Sequence, residues 1–425
     1  MNHRVALTVF LIAVLTAAVP GQTSSAWLVS VSATVAVGFS PKDIALDPAN
    51  GDIYVADSGS AMVSVISGLT NAVVANVSVG IEPDSIGLDP ANGGIYVTNG
   101  GSDTVSVISG SNNNLVATVP VGSGPAEIEF DPANGNLYVG NYQTDSVSVI
   151  SGSTNTVVAN VTVGANPVGV VYDSANGNVY VVNSGSDTVS VVSGSNNSVV
   201  ATITVGIGAD RIEFDPGNGD IYVGNYDSDT VSIISGSNNS VVATVRVGAE
   251  PHVIEYDPAD GDIYVANFGS YSISVISGTN NSVIATVTVG SGADRIAFDT
   301  ADGIIYVTNL NSNTTSVISS TNDSVLATVG VGTTPVGVAF DPANGDAYVA
   351  NFGSDTVSVL SIGPASTQSS SASPQAPGYP WYAVGAVLVA LVAVAIFVGW
   401  RRQTPRTRAS GPTSVTRRAP FPNPC

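Results

Sequence analysis

Short runs in which apolar and polar residues alternate recur along most of the chain, separated by turn-forming residues. One set of four runs comprises residues 127–130, 137–141, 147–150 and 157–163. A period of two predicts β-strands, because successive side chains of a strand point to opposite faces. We call the four strands of such a set A, B, C and D in chain order.

The connection between strands A and B carries the clearest turn signal. It reads Asp131-Pro-Ala-Asn-Gly135, and its glycine is present in every copy of the pattern. Glycine accepts a positive φ at little cost, and an aspartate closes an Asx turn on the backbone. The sequence therefore predicts a tight A-to-B hairpin.

The four-strand pattern occurs eight times with a spacing of 42 residues and without one insertion or deletion. The tyrosine of strand B shows the spacing at Tyr54, Tyr96, Tyr138, Tyr180, Tyr222, Tyr264, Tyr306 and Tyr348. Self-similarity of this length indicates a propeller, a solenoid or an array, and four short strands per unit are typical of a propeller blade. A solenoid needs polar terminal caps, and none is visible.

The two ends of the repeat region predict how the ring closes. Residues 32–38 match strand D in frame with no A, B or C before them, whereas the last copy supplies A, B and C through Leu360 with no D after it. The N-terminal strand therefore completes the last blade. We predict an all-β, eight-bladed propeller of four-stranded blades over residues 27–362.

The segments outside the repeats predict export and anchoring. Residues 1–26 have a charged start, an apolar run and a small-residue cleavage site, as in a signal peptide. The alternative is an uncleaved anchor, for which the apolar run of residues 5–19 is short. Residues 363–380 are rich in Ser and Pro and predict a flexible stalk.

Residues 381–400, from Trp381 to Trp400, contain no charge. As a helix they span about 30 Å, the thickness of a membrane hydrocarbon core. The tail at 401–425 contains six arginines and no acidic residue, and positive charge marks the cytoplasmic side. The sequence predicts a single-pass cell-membrane protein with one transmembrane helix, an extracellular propeller and a cytoplasmic tail.

Charge is distributed unevenly along the chain. Between residues 27 and 380 there are four basic residues and all 32 acidic residues. Such a domain repels nucleic acid and anionic lipid, so we expect no nucleic-acid partner; the acidity serves solubility or attracts cations. The one cysteine, Cys425, excludes a disulfide within the chain and a cysteine-based metal site.

Strand B reads Tyr96-Val-Thr-Asn99 and Tyr306-Val-Thr-Asn309, between the Asp-Pro-Ala-Asn-Gly turn and a Val-Ser-Val-Ile strand. Over residues 33–362 the chain resembles the YVTN-family β-propeller repeat of archaeal surface-layer proteins and the related YncE-like proteins. The resemblance implies an extracellular cell-surface protein and supplies no catalytic residues. The chain departs from it in having eight units where the surface-layer propeller is seven-bladed, and in having Asp57 where the other copies have Asn.

Positions that differ among near-identical copies are the candidates for function. Strand A is predicted to line the central channel, and three copies have a glutamate there where the others have a small or apolar residue: Glu129, Glu213 and Glu255. Neighbouring positions add charges in blades five to seven. The resulting charged arc comprises Asp210, Arg211, Glu213, His252, Glu255, Asp294 and Arg295.

Two interpretations of the charged arc stay open. Carboxylates that converge with a histidine suit a ligand or a divalent cation such as calcium, and no other cofactor is expected. Alternatively, Arg211 and Arg295 pair with Glu213, Glu255 and the two aspartates as an internal network. His252 has no partner for acid–base catalysis in the sequence, and a lone histidine is usually a surface residue.

A second variable position follows the last residue of strand B and holds four aromatic residues: Tyr142, Tyr226, Phe268 and Phe352. These B-to-C loops are predicted to lie on the same side as the charged arc. Aromatic rings beside carboxylates suit a sugar or peptide site. The alternative is that they cover the seams between blades.

Seven N-x-[ST] sequons predict glycosylation, at Asn76, Asn160, Asn196, Asn238, Asn280, Asn313 and Asn322. Four of them recur every 42 residues on C-to-D turns, on the face opposite the arc. Glycans there would coat one face and leave the other open, although Ser-Asn-Asn-Ser is also good turn chemistry. Asn76 and Asn160 fall on outer strand D and are expected to be less accessible.

Together these features predict a non-catalytic scaffold or recognition module of the cell surface. Its expected partners are a surface protein, a glycan or neighbouring copies. The alternative is a metal-dependent hydrolase or lyase with its site at the channel mouth, because similar propellers include such enzymes.

Overall fold

The computed structural model describes residues 27–364, which form 32 β-strands and one 3-10 turn at Tyr226–Ser228. The strands are β1 (Trp27–Ala36), β2 (Pro41–Asp47), β3 (Asp52–Asp57), β4 (Met62–Ser67), β5 (Ala72–Ser78), β6 (Pro83–Asp89), β7 (Gly94–Asn99), β8 (Thr104–Ser109), β9 (Leu115–Pro120), β10 (Pro125–Asp131), β11 (Asn136–Asn141), β12 (Ser146–Ser151), β13 (Thr156–Thr162), β14 (Pro167–Asp173), β15 (Asn178–Asn183), β16 (Thr188–Ser193), β17 (Val199–Thr204), β18 (Ala209–Asp215), β19 (Asp220–Asn225), β20 (Thr230–Ser235), β21 (Ser240–Arg246), β22 (Pro251–Tyr256), β23 (Asp262–Asn267), β24 (Ser272–Ser277), β25 (Val283–Thr288), β26 (Ala293–Asp299), β27 (Ile304–Asn309), β28 (Thr314–Ser319), β29 (Ser324–Gly330), β30 (Pro335–Asp341), β31 (Asp346–Asn351) and β32 (Thr356–Pro364).

The strands form eight antiparallel four-stranded sheets, which are the blades of a propeller. Blades 1 to 7 each use four consecutive strands, from β2–β5 to β26–β29. Blade 8 combines β30, β31 and β32 with β1, so the predicted eight blades and the closure by the N-terminal strand are confirmed. Strand β1 begins earlier than predicted, because it pairs with β32 from Trp27↔Pro364 onwards.

The hydrophobic cores lie between neighbouring blades. Strand B is buried on both sides, and its tyrosine is fully buried in every blade. One core combines Tyr138 and Val149 of blade 3 with Val170 and Val181 of blade 4. The continuous apolar sequence of strand B follows from this position, because both faces of the strand contact another sheet.

A polar contact joins neighbouring blades beside six of the eight cores. Asn134 Nδ2 donates hydrogen bonds to Tyr138 Oη at 3.1 Å and to the Gly194 carbonyl of the next blade at 2.9 Å. Tyr138 Oη donates to Asn197 Oδ1 of that blade at 3.0 Å. The corresponding hydroxyl-to-asparagine bond joins the next blade at Tyr54, Tyr96, Tyr180, Tyr222 and Tyr348. We call this contact the tyrosine latch.

The propeller has two different faces. Each strand A begins opposite the end of strand B, as in Pro125↔Asn141, so the D-to-A and B-to-C connections share one face. We call it the mouth face. The A-to-B and C-to-D turns form the opposite face, where Trp27 and Pro364 also lie.

No helix within residues 27–364 is long and apolar enough to cross a membrane. The predicted signal peptide, the predicted helix at 381–400 and the basic tail lie outside the described residues. The same is true of the predicted stalk apart from its first two residues, which belong to β32.

Candidate functional site

The inner strands line the central channel, as predicted. A cavity of about 280 Å³ in the channel is bordered by charged side chains of blades 3, 5, 6 and 7. These are Glu127, Glu129, Arg211, Glu213, Glu255 and Arg295. The structure thus brings the three predicted glutamates together with both predicted arginines.

Arg211 pairs with a residue that the sequence did not single out as part of the site. Its Nη1 lies 3.0 Å from Glu127 Oε2, across the intervening blade 4. Within residues 27–364, no ion pair within 4.0 Å joins Arg211 to Glu213, Glu255 or the two aspartates, the partners in the internal-network interpretation. Glu127 occupies the same register as Arg211 and so lies at the same level of the channel, whereas the two glutamates lie two residues further along their strands.

Burial raises the pKa values of the three channel glutamates. Burial, and then the neighbouring Glu127, raise the pKa of Glu129 to about 8. Burial raises the pKa of Glu255 to about 7 although Arg295 opposes the shift. Burial, Glu255 and Glu129 raise the pKa of Glu213 well above its usual value.

Cation coordination at these carboxyls gains no geometric support. Within residues 27–364, no group of three or more His, Cys, Asp or Glu side chains is arranged to hold a metal ion.

His252 joins three blades at one register. Its Nδ1 lies 2.8 Å from Asp210 Oδ2 of blade 5, and its Nε2 lies 3.1 Å from Asp294 Oδ1 of blade 7. Burial lowers the pKa of His252, but the hydrogen bonds to the two carboxylates outweigh it, so the pKa is raised. The side chain is 28% exposed and has two partners, contrary to the expectation of an unpartnered surface residue.

Two of the four predicted aromatic residues contact His252. The rings of Tyr226 and Phe268 lie edge-on to the imidazole, with centroids at 6.3 and 6.2 Å. Tyr226 Oη also donates a hydrogen bond to Glu250 Oε2 at 3.0 Å. These two rings pack beside the charged arc, as the seam-covering interpretation expects, whereas Tyr142 and Phe352 are 43% and 39% exposed on the mouth face.

A larger cavity of about 550 Å³ opens beside the channel on the mouth face. It is lined by predicted site residues, among them Glu129, Tyr142, Asp210, Arg211 and Arg295, and by Lys42, Asp43, Asp84 and Glu127. Lys42 Nζ pairs with Asp84 Oδ1 at 2.6 Å. We did not identify Lys42, Asp43, Asp84 or Glu127 as site residues from the sequence. Each occupies the repeat position that a predicted site residue occupies in another blade.

The sequence profile of one family, the YNCE-like beta-propeller, matches residues 17–340 and 136–393. The chain belongs to the YncE-like β-propeller family. No curated protein matches the chain significantly.

Two solved structures share the propeller fold of this YncE-like chain. Dihydro-heme d1 dehydrogenase NirN in complex with DHE is 15% identical, with a TM-score of 0.62 over 75% of this chain and 73% of that chain. Hydrazine synthase of Kuenenia stuttgartiensis is 16% identical, with a TM-score of 0.54 over 75% of this chain and 95% of that chain. At these identities the likeness concerns the fold alone.

The mouth face of this YncE-like propeller carries most of its exposed apolar loop residues. Six large apolar or aromatic side chains are exposed on its loops: Phe39, Ile81, Tyr142, Ile207, Tyr271 and Phe352. On the turns of the opposite face, within residues 27–364, only Leu69 is comparable. The two faces therefore differ in chemistry.

The predicted glycosylation sites all lie on the surface. The four repeated sequons are exposed on C-to-D turns of the opposite face. Asn76 and Asn160 on the outer strands β5 and β13 are also exposed, contrary to expectation, although the side-chain oxygen of each accepts a hydrogen bond from a serine of strand C. Asn313 is exposed near the start of β28.

Proposed function

We propose that the protein is a non-catalytic recognition module of the cell surface that binds its partner with the mouth face. The observation that carries the proposal is the unequal distribution of exposed apolar loop residues, six on the mouth face and one on the opposite face. Exposed apolar side chains beside polar groups are typical of binding surfaces. The partner is a surface protein, a glycan or a neighbouring copy.

The position of the chain ends supports binding through the mouth face. Residue Pro364 leaves the ring on the face opposite the mouth. The described part of the chain therefore ends on the face away from the proposed binding surface. Four of the sequons lie on that opposite face, so glycans there leave the mouth face open.

A binding assay with matched surface variants tests the proposal. Fluorescently labelled propeller, residues 27–364, is titrated onto cell-envelope material of the source organism. The triple variant Phe39→Ser, Tyr142→Ser, Phe352→Ser is expected to lose at least about tenfold in affinity. The reason is that central aromatic residues dominate the binding energy of interfaces. The Leu69→Ser variant controls for loss of an exposed apolar residue on the opposite face.

Equal binding by the wild-type protein and the triple variant would contradict the mouth face as the binding surface. Thermal melts of all variants exclude unfolding as the cause of a loss. Sedimentation velocity of the same samples distinguishes self-association, which identifies a neighbouring copy as the partner.

A further inference from the structure

Three of the four basic residues of the propeller line one cavity. Within residues 27–364 these basic residues are Lys42, Arg211, Arg246 and Arg295, and all except Arg246 border the mouth cavity. The same cavity is lined by six carboxylates, so a negative group fits only beside a cation that has no carboxylate partner. Two of the three cations are already paired, Lys42 with Asp84 and Arg211 with Glu127.

Within the described part of the chain, Arg295 is the cation of this cavity without a direct ion pair, although its charge acts on the pKa values of Glu255 and Asp43. Among residues 27–364, no carboxylate oxygen lies within 4.0 Å of its guanidinium. Its backbone N–H donates to Thr308 Oγ1, and its side chain borders both the mouth cavity and the channel cavity. A guanidinium presents a planar fork of N–H donors that matches the two oxygens of a carboxylate.

The rest of the lining restricts the ligand. Asp43, Glu82 and Asp84 border the same cavity and repel a ligand with several negative charges. Their oxygens accept hydrogen bonds and so suit a ligand with many hydroxyl groups. The exposed ring of Tyr142 forms part of the wall and offers an apolar surface to the carbon face of a sugar.

We propose that the mouth cavity binds a sugar acid, a hexuronic acid residue whose carboxylate pairs with Arg295. The hydroxyl groups of the sugar donate to the carboxylates of the lining, and one face of its ring lies on Tyr142. The volume of about 550 Å³ falls within the range of small-ligand sites. This inference rests on the proposed recognition function and names the ligand class of its surface.

Isothermal titration calorimetry of the purified full chain with three ligands tests the proposal. The ligands are the methyl glycoside of glucuronic acid, the methyl glycoside of glucose, and glucose 6-phosphate. The uronate is expected to bind about tenfold more tightly than the neutral glycoside. This difference in affinity corresponds to the free energy of one charge-assisted hydrogen-bonded pair. The phosphate is expected to bind more weakly than the uronate, because its second charge faces the acidic lining.

Matched arginine variants locate the site. Arg295→Gln is expected to reduce uronate binding to the level of the neutral glycoside, and Arg295→Lys to leave it intermediate because the fork is lost. Arg246→Gln removes the same charge from the outer strand β21, where the side chain is 83% exposed, and is expected to leave binding unchanged.

The proposal would be overturned by no uronate binding, by equal affinity for uronate and neutral glycoside, or by full uronate binding by a folded Arg295→Gln variant. Tighter binding of the phosphate would also overturn it in favour of a general anion site. Failure here is distinguishable from failure of the recognition function, because envelope binding by the mouth face is measured separately with the aromatic variants.

Discussion

One residue departs from the repeat in a way that changes stability. In seven blades an asparagine ends strand B, and its Nδ2 donates to a serine of strand C, as from Asn141 to Ser148 Oγ at 3.0 Å. Blade 1 has Asp57 at this position, fully buried, and Ser64 Oγ donates to Asp57 Oδ2 at 2.6 Å instead. Burial raises the pKa of Asp57 to about 6.

We expect Asp57→Asn to stabilise the propeller at pH 8 by about 3 kcal/mol and to have little effect at pH 4. The folded pKa lies above the unfolded value of 3.8, so the stability that Asp57 contributes is full below that value and falls as the pH rises through about 6. Denaturant unfolding at both pH values measures the effect. Asn141→Asp is the reverse control, and equal stabilisation by Asp57→Asn at both pH values would refute the mechanism.

Single positions of the channel were predictable, but their partners were not. Glu129, Glu213 and Glu255 were identified because they vary among otherwise similar copies. The pairing of Arg211 with Glu127 depends on the width of the channel, which sets the distance between strands two blades apart. This width is not encoded in the spacing of one repeat.

At the scale of elements, the tyrosine latch joins blades that share no hydrogen-bonded strand pair. Within residues 27–364, Tyr306 Oη of blade 7 is buried without a partner. The reason is the closure of the ring: β32 continues through Pro364 where the other blades make the C-to-D turn, because β1 supplies the outer strand. Replacing the strand-B tyrosine by phenylalanine is therefore expected to have different effects on stability in two similar blades.

We expect Tyr138→Phe to destabilise the propeller by about 1–2 kcal/mol, because Asn134 and Asn197 lose their shared partner. Tyr306→Phe is expected to be neutral or stabilising, because it removes a buried hydroxyl that has no partner among the described residues. Thermal and denaturant unfolding of the two variants measures the difference. An equal cost at both sites would show that the latch contributes nothing.

Most element boundaries followed from alternation and turn residues, and they agree with the structure to within about two residues. The exception is β1, which was predicted to start at residue 32 and starts at Trp27. Strand β32 continues through Pro364 because no turn interrupts it, and β1 extends alongside. The repeat unit carries no information about this extension, since it occurs once in the chain.

At the scale of the molecule, closure depends on one strand pair between distant parts of the sequence. Strands β1 and β32 form nine residue pairs, and Val35 of β1 is buried in a core shared by blades 8 and 1. Without β1, strand β32 becomes an exposed edge, and such edges associate with other chains.

We expect a chain that starts at Val37 to be less stable than one that starts at Trp27 by at least about 4 kcal/mol, from the lost burial of β1 side chains. It is also expected to self-associate. Thermal melts and sedimentation velocity measure both effects. A synthetic peptide of residues 27–36 added in trans should restore stability and the monomer, whereas a scrambled peptide should not; unchanged stability after truncation would contradict closure by β1.

The placement of Trp27 opposite Pro364 also determines how the ring responds to mechanical load. A force that pulls these two residues apart acts on the first residue pair of β1 and β32 alone, so the strands peel one pair at a time. A tension applied between the mouth face and Pro364 runs lengthwise along β32, and its hydrogen bonds to β31 and β1 share the load. The propeller therefore resists a force that separates Trp27 from Pro364 less than it resists a force directed along β32.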